Sequence, residues 1–221
     1  MPLSAYAKDT FVAPYMSSFT EAEIVDMSAC DPQQEHWVSN FILNTLLRTK
    51  VRPPHRQYMF NYLRRVEAAF REYASARDRT LLFLSRTESP SNYMAAIAHW
   101  EFFLLQAWVS FELLGRIFQL PKGSLFKKND GSVLQRLNLM YNVSKHAAEG
   151  DFPEDGTLAV WLANDGLHSR NSHLTFDKIA NEILRDFAVW ADRLQDPLTL
   201  QEKIEAAIND VDSSETAAGS T

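Results

Sequence analysis

From Arg56 to Leu84 the chain contains no glycine or proline, and Met59, Leu63, Val66, Phe70, Tyr73, Leu81 and Leu84 return mostly at steps of three and four. Only an α-helix brings that period to one face, so this stretch predicts one long amphipathic helix. The same seam places Arg77 between Tyr73 and Leu81. A guanidinium there predicts an acidic partner from another helix.

The segment TESPSNYM breaks the pattern and offers Ser89 or Ser91 as a helix cap, and a second long helix is expected to run to about Leu120, before Pro121. Being apolar nearly all round, this helix is the expected centre of the fold. His99, Glu101, Gln106, Glu112 and Arg116 interrupt its apolar run, which excludes a lipid-exposed span. Asn92, His99, Gln106 and Ser110 fall within a narrow arc and are expected to bond to neighbouring helices, while Glu112 and Arg116 form an i,i+4 pair.

The flanking segments complete the bundle. Residues 1–32 read as an irregular arm with one short helical stretch in SFTEAEIVDM, where Ser18 or Thr20 would cap. After Pro32 a first core helix is expected to turn Trp37, Phe41 and Leu47 inward with Ile42 and Leu46 beside them, and VRPPH ends it. Beyond the loop KGSLFKKNDGS, a helix is expected from Ser132 to about Ala148, closed by Gly150 and Pro153. In GTLAVWLANDGLHSRNSHLTF the alternation of Leu158, Val160 and Leu162 before Asn164-Asp165-Gly166 predicts a small hairpin. Thr175 then caps a last helix with Ile179, Ile183, Phe187, Trp190 and Leu194 inside. The tail after about Asp210 has no periodic apolar face and reads as disordered. The expected fold class is all-α: a helical bundle with two long central helices and a small β-hairpin before the last helix. The arm (1–32), one bundle domain (33–208) and a disordered tail (209–221) divide the chain.

Composition narrows the functional classes. A single cysteine, Cys30, allows no intramolecular disulfide and no Cys-based zinc cluster, and MPLSAYAKDT does not resemble a secretory signal, so a cytoplasmic location is expected. The net charge is −6, yet Arg48 to Arg86 hold ten basic and three acidic residues. That segment is expected to pair with acidic parts of the fold or to meet a polyanion. Phosphate-cradling loops, GxSxG and HExxH are absent from the sequence, and no metal or cofactor is expected. His168 and His173 read as loop histidines of the hairpin.

One stretch carries a functional lead. In LNLMYNVSKH, residues 137–146, a helix gathers Asn138, Asn142, Lys145 and His146 into a polar stripe with Gln135 and Glu149, opposite Leu137, Met140, Val143 and Ala147. Asn is a weak helix former, yet Asn138 and Asn142 stand mid-helix. Lys145 and His146 close the last turn, where the helix dipole favours cations. The stretch, with the long helices before it, resembles the all-α HEPN-like superfamily, which includes metal-independent ribonucleases of toxin and phage-defence systems. The family's signature is an Arg, a polar residue often Asn, and a His four to six positions further on. This chain has Asn142 and His146, with Tyr141 where the Arg would stand. Two functions are expected, the first from the bundle and its basic helix and the second from the resemblance. The first is a HEPN-like binding or interaction protein, a homodimer contacting RNA or a protein partner, with Asn138, Arg64 and Arg65 as contact residues. The alternative is a divergent ribonuclease in which His146 transfers protons, Lys145 holds the phosphate and Asn142 orients the reactants.

Overall fold

The computed structural model describes residues 3–28, 36–47, 51–85, 89–146 and 158–196. The expected tail, Cys30, Arg48, Lys50, Arg86 and Glu149 lie outside the described residues. The elements in chain order are α1 (Ala5–Phe11), a short 3₁₀ turn (Met16–Ser18), α2 (Trp37–Leu47), α3 (His55–Ser85), α4 (Pro90–Ile117), α5 (Val133–Lys145), β1 (Val160–Ala163), β2 (Gly166–Ser169), β3 (Ser172–Thr175), α6 (Phe176–Lys178), a π-helical segment (Ile179–Leu184) and α7 (Arg185–Leu194). No helix among the described residues is long and apolar enough to cross a membrane.

The two long helices are those their sequence period predicts. They pack along their lengths, burying Leu63, Val66, Phe70 and Tyr73 of α3 against Trp100, Phe103, Leu104 and Ala107 of α4. Tyr73, Trp100 and Phe103 meet edge to face, with centroids 5.5 to 5.9 Å apart, the arrangement that aromatic quadrupoles favour. Two residues of the polar arc of α4 bond across to α3 as expected, His99 Nδ1 lying 2.8 Å from a Glu72 carboxylate oxygen and Arg65 donating to Gln106 Oε1 at 2.7 Å, whereas Ser110 Oγ donates to the Gln106 carbonyl of its own helix.

Three features differ from the sequence expectation. The arm's helix is α1, not SFTEAEIVDM; residues 19–27 run without helix, and Phe19, Ile24 and Met27 are buried in the common core. Tyr73 Oη donates to the Val25 carbonyl at 2.8 Å and Arg77 Nε to the Ile24 carbonyl at 3.1 Å. Arg77 therefore finds its acid on the arm, in Asp26 at 3.7 Å, instead of on another helix. An extended strap crossing α3 satisfies the guanidinium through backbone carbonyls that a helix would have used internally.

The second difference concerns α2. Trp37 and Phe41 are buried, but Leu46 and Leu47 are 76% and 79% exposed and Ile42 also faces out. The helix meets α3 and α7 along one edge only. Trp37 Nε1 donates to Asp192 and Asn44 Nδ2 to the Gln195 carbonyl, which fixes that edge.

Thirdly, the expected hairpin is a three-stranded antiparallel sheet in the order β1-β2-β3, so the fold is mostly helical without being purely all-α. Asn164 and Asp165 form the first two-residue turn, and Arg170 and Asn171 the second, pairing Ser169 with Ser172. Gly166 is required where it stands: a Cβ there would run into the Leu174 carbonyl and Thr175 Cα. Leu162, Leu167 and Leu174 turn into the core, and the Tyr93 hydroxyl of α4 accepts from Leu162 N at 2.9 Å. Thr175 caps α6 as expected, its hydroxyl accepting from Lys178 N.

Candidate functional site

α5 begins at a capped end, the Ser132 hydroxyl accepting from Gln135 N at 3.2 Å, and lies against α4 and the sheet. Along α4 the surface opens into two clefts, the smaller between α4 and α5 and the larger between α4 and the loop that follows it. The smaller, about 470 Å³, is lined by Ala98, Glu101, Phe102, Leu105, Tyr141, Ser144 and Lys145. The larger, about 700 Å³, continues along Val109, Glu112 and Arg116 of α4 to Pro121, Lys122 and Phe126, with Asn138 on the α5 side.

The two clefts share one construction. Ala98, Phe102, Leu105, Val109, Glu112 and Arg116 recur at alternating steps of four and three, so they are a single stripe of α4, on a different face from the residues buried against α3. Asn138, Tyr141 and Lys145 form the facing stripe of α5. Trp108 bridges them, stacked on Tyr141 with centroids 6.2 Å apart and edge-on to Phe126 at 6.0 Å. Gly115 lets the loop after α4 close in: a Cβ there would meet Leu125 Cδ2 at 3.3 Å. Phe102, in the lining of the smaller cleft, is 55% exposed.

Charged groups mark the rim. Ser144 Oγ donates to Glu101 Oε1 at 3.1 Å. Burial pushes the Glu101 carboxyl above its usual range, and the serine's hydrogen bond only partly offsets this. Lys145 Nζ lies 5.7 Å from the centroid of the Tyr141 ring, a cation–π distance.

The residues singled out in the sequence are distributed as follows. Lys145 lines the smaller cleft and Asn138 the larger. Asn142 Nδ2 donates to Asn138 Oδ1 at 3.0 Å, so the two mid-helix amides partner each other. His146 is the C-cap of α5, exposed, its backbone N–H donating to the Asn142 carbonyl at 2.9 Å. Arg64 lies 3.5 Å from Asn61 on its own helix, and Arg65 is bonded to Gln106; both belong to the α3 side of α4.

A second constellation lies where the sequence suggested only loop histidines. The register pairs Trp161 with His168 and His168 with His173, so three rings cross the sheet in a row. The His168 and His173 centroids are 5.5 Å apart. Asp165 Oδ1 lies 2.7 Å from His168 Nε2, and Arg136 Nη1 lies 2.9 Å from His173 Nε2 and 3.3 Å from its Nδ1. The signal was present in the spacing, since a two-residue turn at Arg170 and Asn171 must pair 168 with 173. Arg136 arrives from a helix far away in sequence, which no local pattern announces. Among the described residues no group of three or more His, Cys, Asp or Glu side chains is placed to hold a metal ion.

Comparison with family models, with curated proteins and with solved structures returned no match.

Proposed function

We propose that the chain is a HEPN-like helical-bundle interaction protein that pairs with a second copy of itself through the groove between α4 and α5. The observation that carries this reading is Phe102, which lines the smaller cleft and is 55% exposed. An aromatic ring presented beside an apolar recess gains from burial at ~25 cal/mol per Å², and such patches mark binding surfaces. The rim holds Glu101 and Glu112 together with Arg116, Lys122 and Lys145. A surface carrying both signs is complementary to its own two-fold image, and two-fold pairs are the commonest assemblies. A phosphate backbone would meet the two carboxylates instead, which disfavours RNA at this groove.

Light scattering across a concentration series of the whole chain tests the reading. The expected result is a dimer that Phe102→Glu converts to a monomer with unchanged helicity and melting temperature. A wild-type chain that stays monomeric at high concentration overturns it.

The alternative is a divergent metal-independent ribonuclease. It is favoured by Lys145 in the lining of the smaller cleft, with His146 next to it in the chain as the C-cap of α5. Cleavage of labelled RNA that is lost in His146→Ala would support it, and a folded sample without cleavage leaves the interaction role.

A further inference from the structure

We propose that Arg136, His168 and His173 form a binding site for a phosphoryl dianion, either free phosphate or the phosphate of a small monoester, on the face of the sheet next to α5. The site is separate from the α4–α5 groove and does not depend on it.

Its geometry sets a permanent cation against an imidazole. Arg136 donates from Nε to the Gly131 carbonyl at 3.1 Å and from Nη1 to the His173 carbonyl at 3.4 Å, which aims the guanidinium across the imidazole of His173. A guanidinium has no acceptor and keeps its charge at all relevant pH. At most one of the two ring nitrogens near Nη1 can accept from it, and a proton on both would set two cations against each other, so this arrangement favours the neutral form of His173. On the other side of the row, ionised Asp165 has no proton to donate, so His168 carries its proton on Nε2 and presents Nδ1.

The charges that face His173 come from every neighbouring element: Arg136 from α5, His168 from β2, Asp165 from the first turn and Lys178 from α6. Desolvation, then Arg136, His168 and Lys178, hold the His173 imidazole below its usual range, against the opposing pull of Asp165. One carboxylate, already bonded to His168, stands against two permanent cations and two imidazoles. A tetrahedral dianion placed between them supplies the missing negative charge and gives Arg136 the planar two-point partner its guanidinium is built for. His173 then takes up a proton and becomes a donor instead of an obstacle. The row ends at Trp161, whose residue is only 6% exposed and whose Nε1 has no acceptor among the described residues.

The test is an NMR titration of the histidine ring nitrogens of the whole chain with sulfate, phosphate and chloride at matched ionic strength. Sulfate keeps its charge across the range, so its binding reports the protein's protons alone. The expected result is an upward move of the His173 titration midpoint in sulfate and phosphate but not in chloride. Sulfate affinity should rise by up to about tenfold per pH unit as the solution is acidified towards that midpoint. Arg136→Gln and Lys178→Gln should each weaken binding, the first by roughly tenfold. A nucleoside 5′-monophosphate that binds more tightly than phosphate identifies the ligand as a monoester, and equal binding identifies the bare anion. A His173 midpoint that does not move in wild-type protein with either dianion overturns the proposal, whatever the variants do.

Discussion

Trp100 and Thr80 join the two long helices through a single buried hydrogen bond, the indole Nε1 donating to the threonine hydroxyl at 3.0 Å, and that hydroxyl donates in turn to the Ala76 carbonyl at 2.7 Å. Both side chains are fully buried. Thr80→Val keeps the shape and removes the acceptor, leaving an indole N–H without a partner in the core. Chemical denaturation should show a loss of ~1 to 3 kcal/mol with an unchanged slope.

Glu101 gives a pH signature. Its folded-state carboxyl titrates above the unfolded value of 4.5 because burial disfavours the charged form. The corresponding stability is fully present below the unfolded value and is lost as pH rises through the folded one. Glu101→Gln, which keeps an acceptor for Ser144, should therefore raise the melting temperature at neutral pH. The gap to wild type should close on acidification below about pH 4. A gap that widens in acid would reverse the assignment.

At Gly166, where β2 and β3 approach the start of α6, an added methyl group meets backbone and not a yielding side chain. Gly166→Ala is expected to destabilise by at least ~1 to 3 kcal/mol, the usual range for overpacking. Hydrogen exchange should locate the loss in the sheet, with α3 and α4 retaining protection.

Tyr73 ties the arm to the bundle. In Tyr73→Phe the ring stays packed against Trp100 while the bond to the Val25 carbonyl disappears. The expected effect is a loss of ~0.5 to 1.5 kcal/mol and faster proteolysis within residues 19–28 than elsewhere. Uniform acceleration along the chain would mean that the hydroxyl does not hold the strap.

Much of the helical frame was legible from the chain alone. The three-and-four spacing defined α3, the break at TESPSNYM and Pro121 bounded α4, Ser132 and Thr175 marked the starts of α5 and α6, and Asn164-Asp165-Gly166 marked the first turn, because caps, turns and helix period depend on neighbours within a few residues. In α4, apolar nearly all round, neighbouring Phe102 and Phe103 look alike in the sequence, yet Phe103 is fully buried and Phe102 is left exposed. Leu47 shows the same limit: it shares α2 with Phe41, but the helix meets its neighbours along one edge, and Leu47 is left outside.

The candidate sites were less accessible still. Asn138 and Lys145 were visible as one stripe, but only the packing of α5 on α4 set them at two different clefts. The extended strap across α3, the third strand, and the meeting of Arg136 with His173 all join segments distant in sequence, and such contacts are chosen by the energy of the assembled core. Local periodicity determined which side chains share a face. Tertiary packing decided which faces remained open, and what stands opposite them.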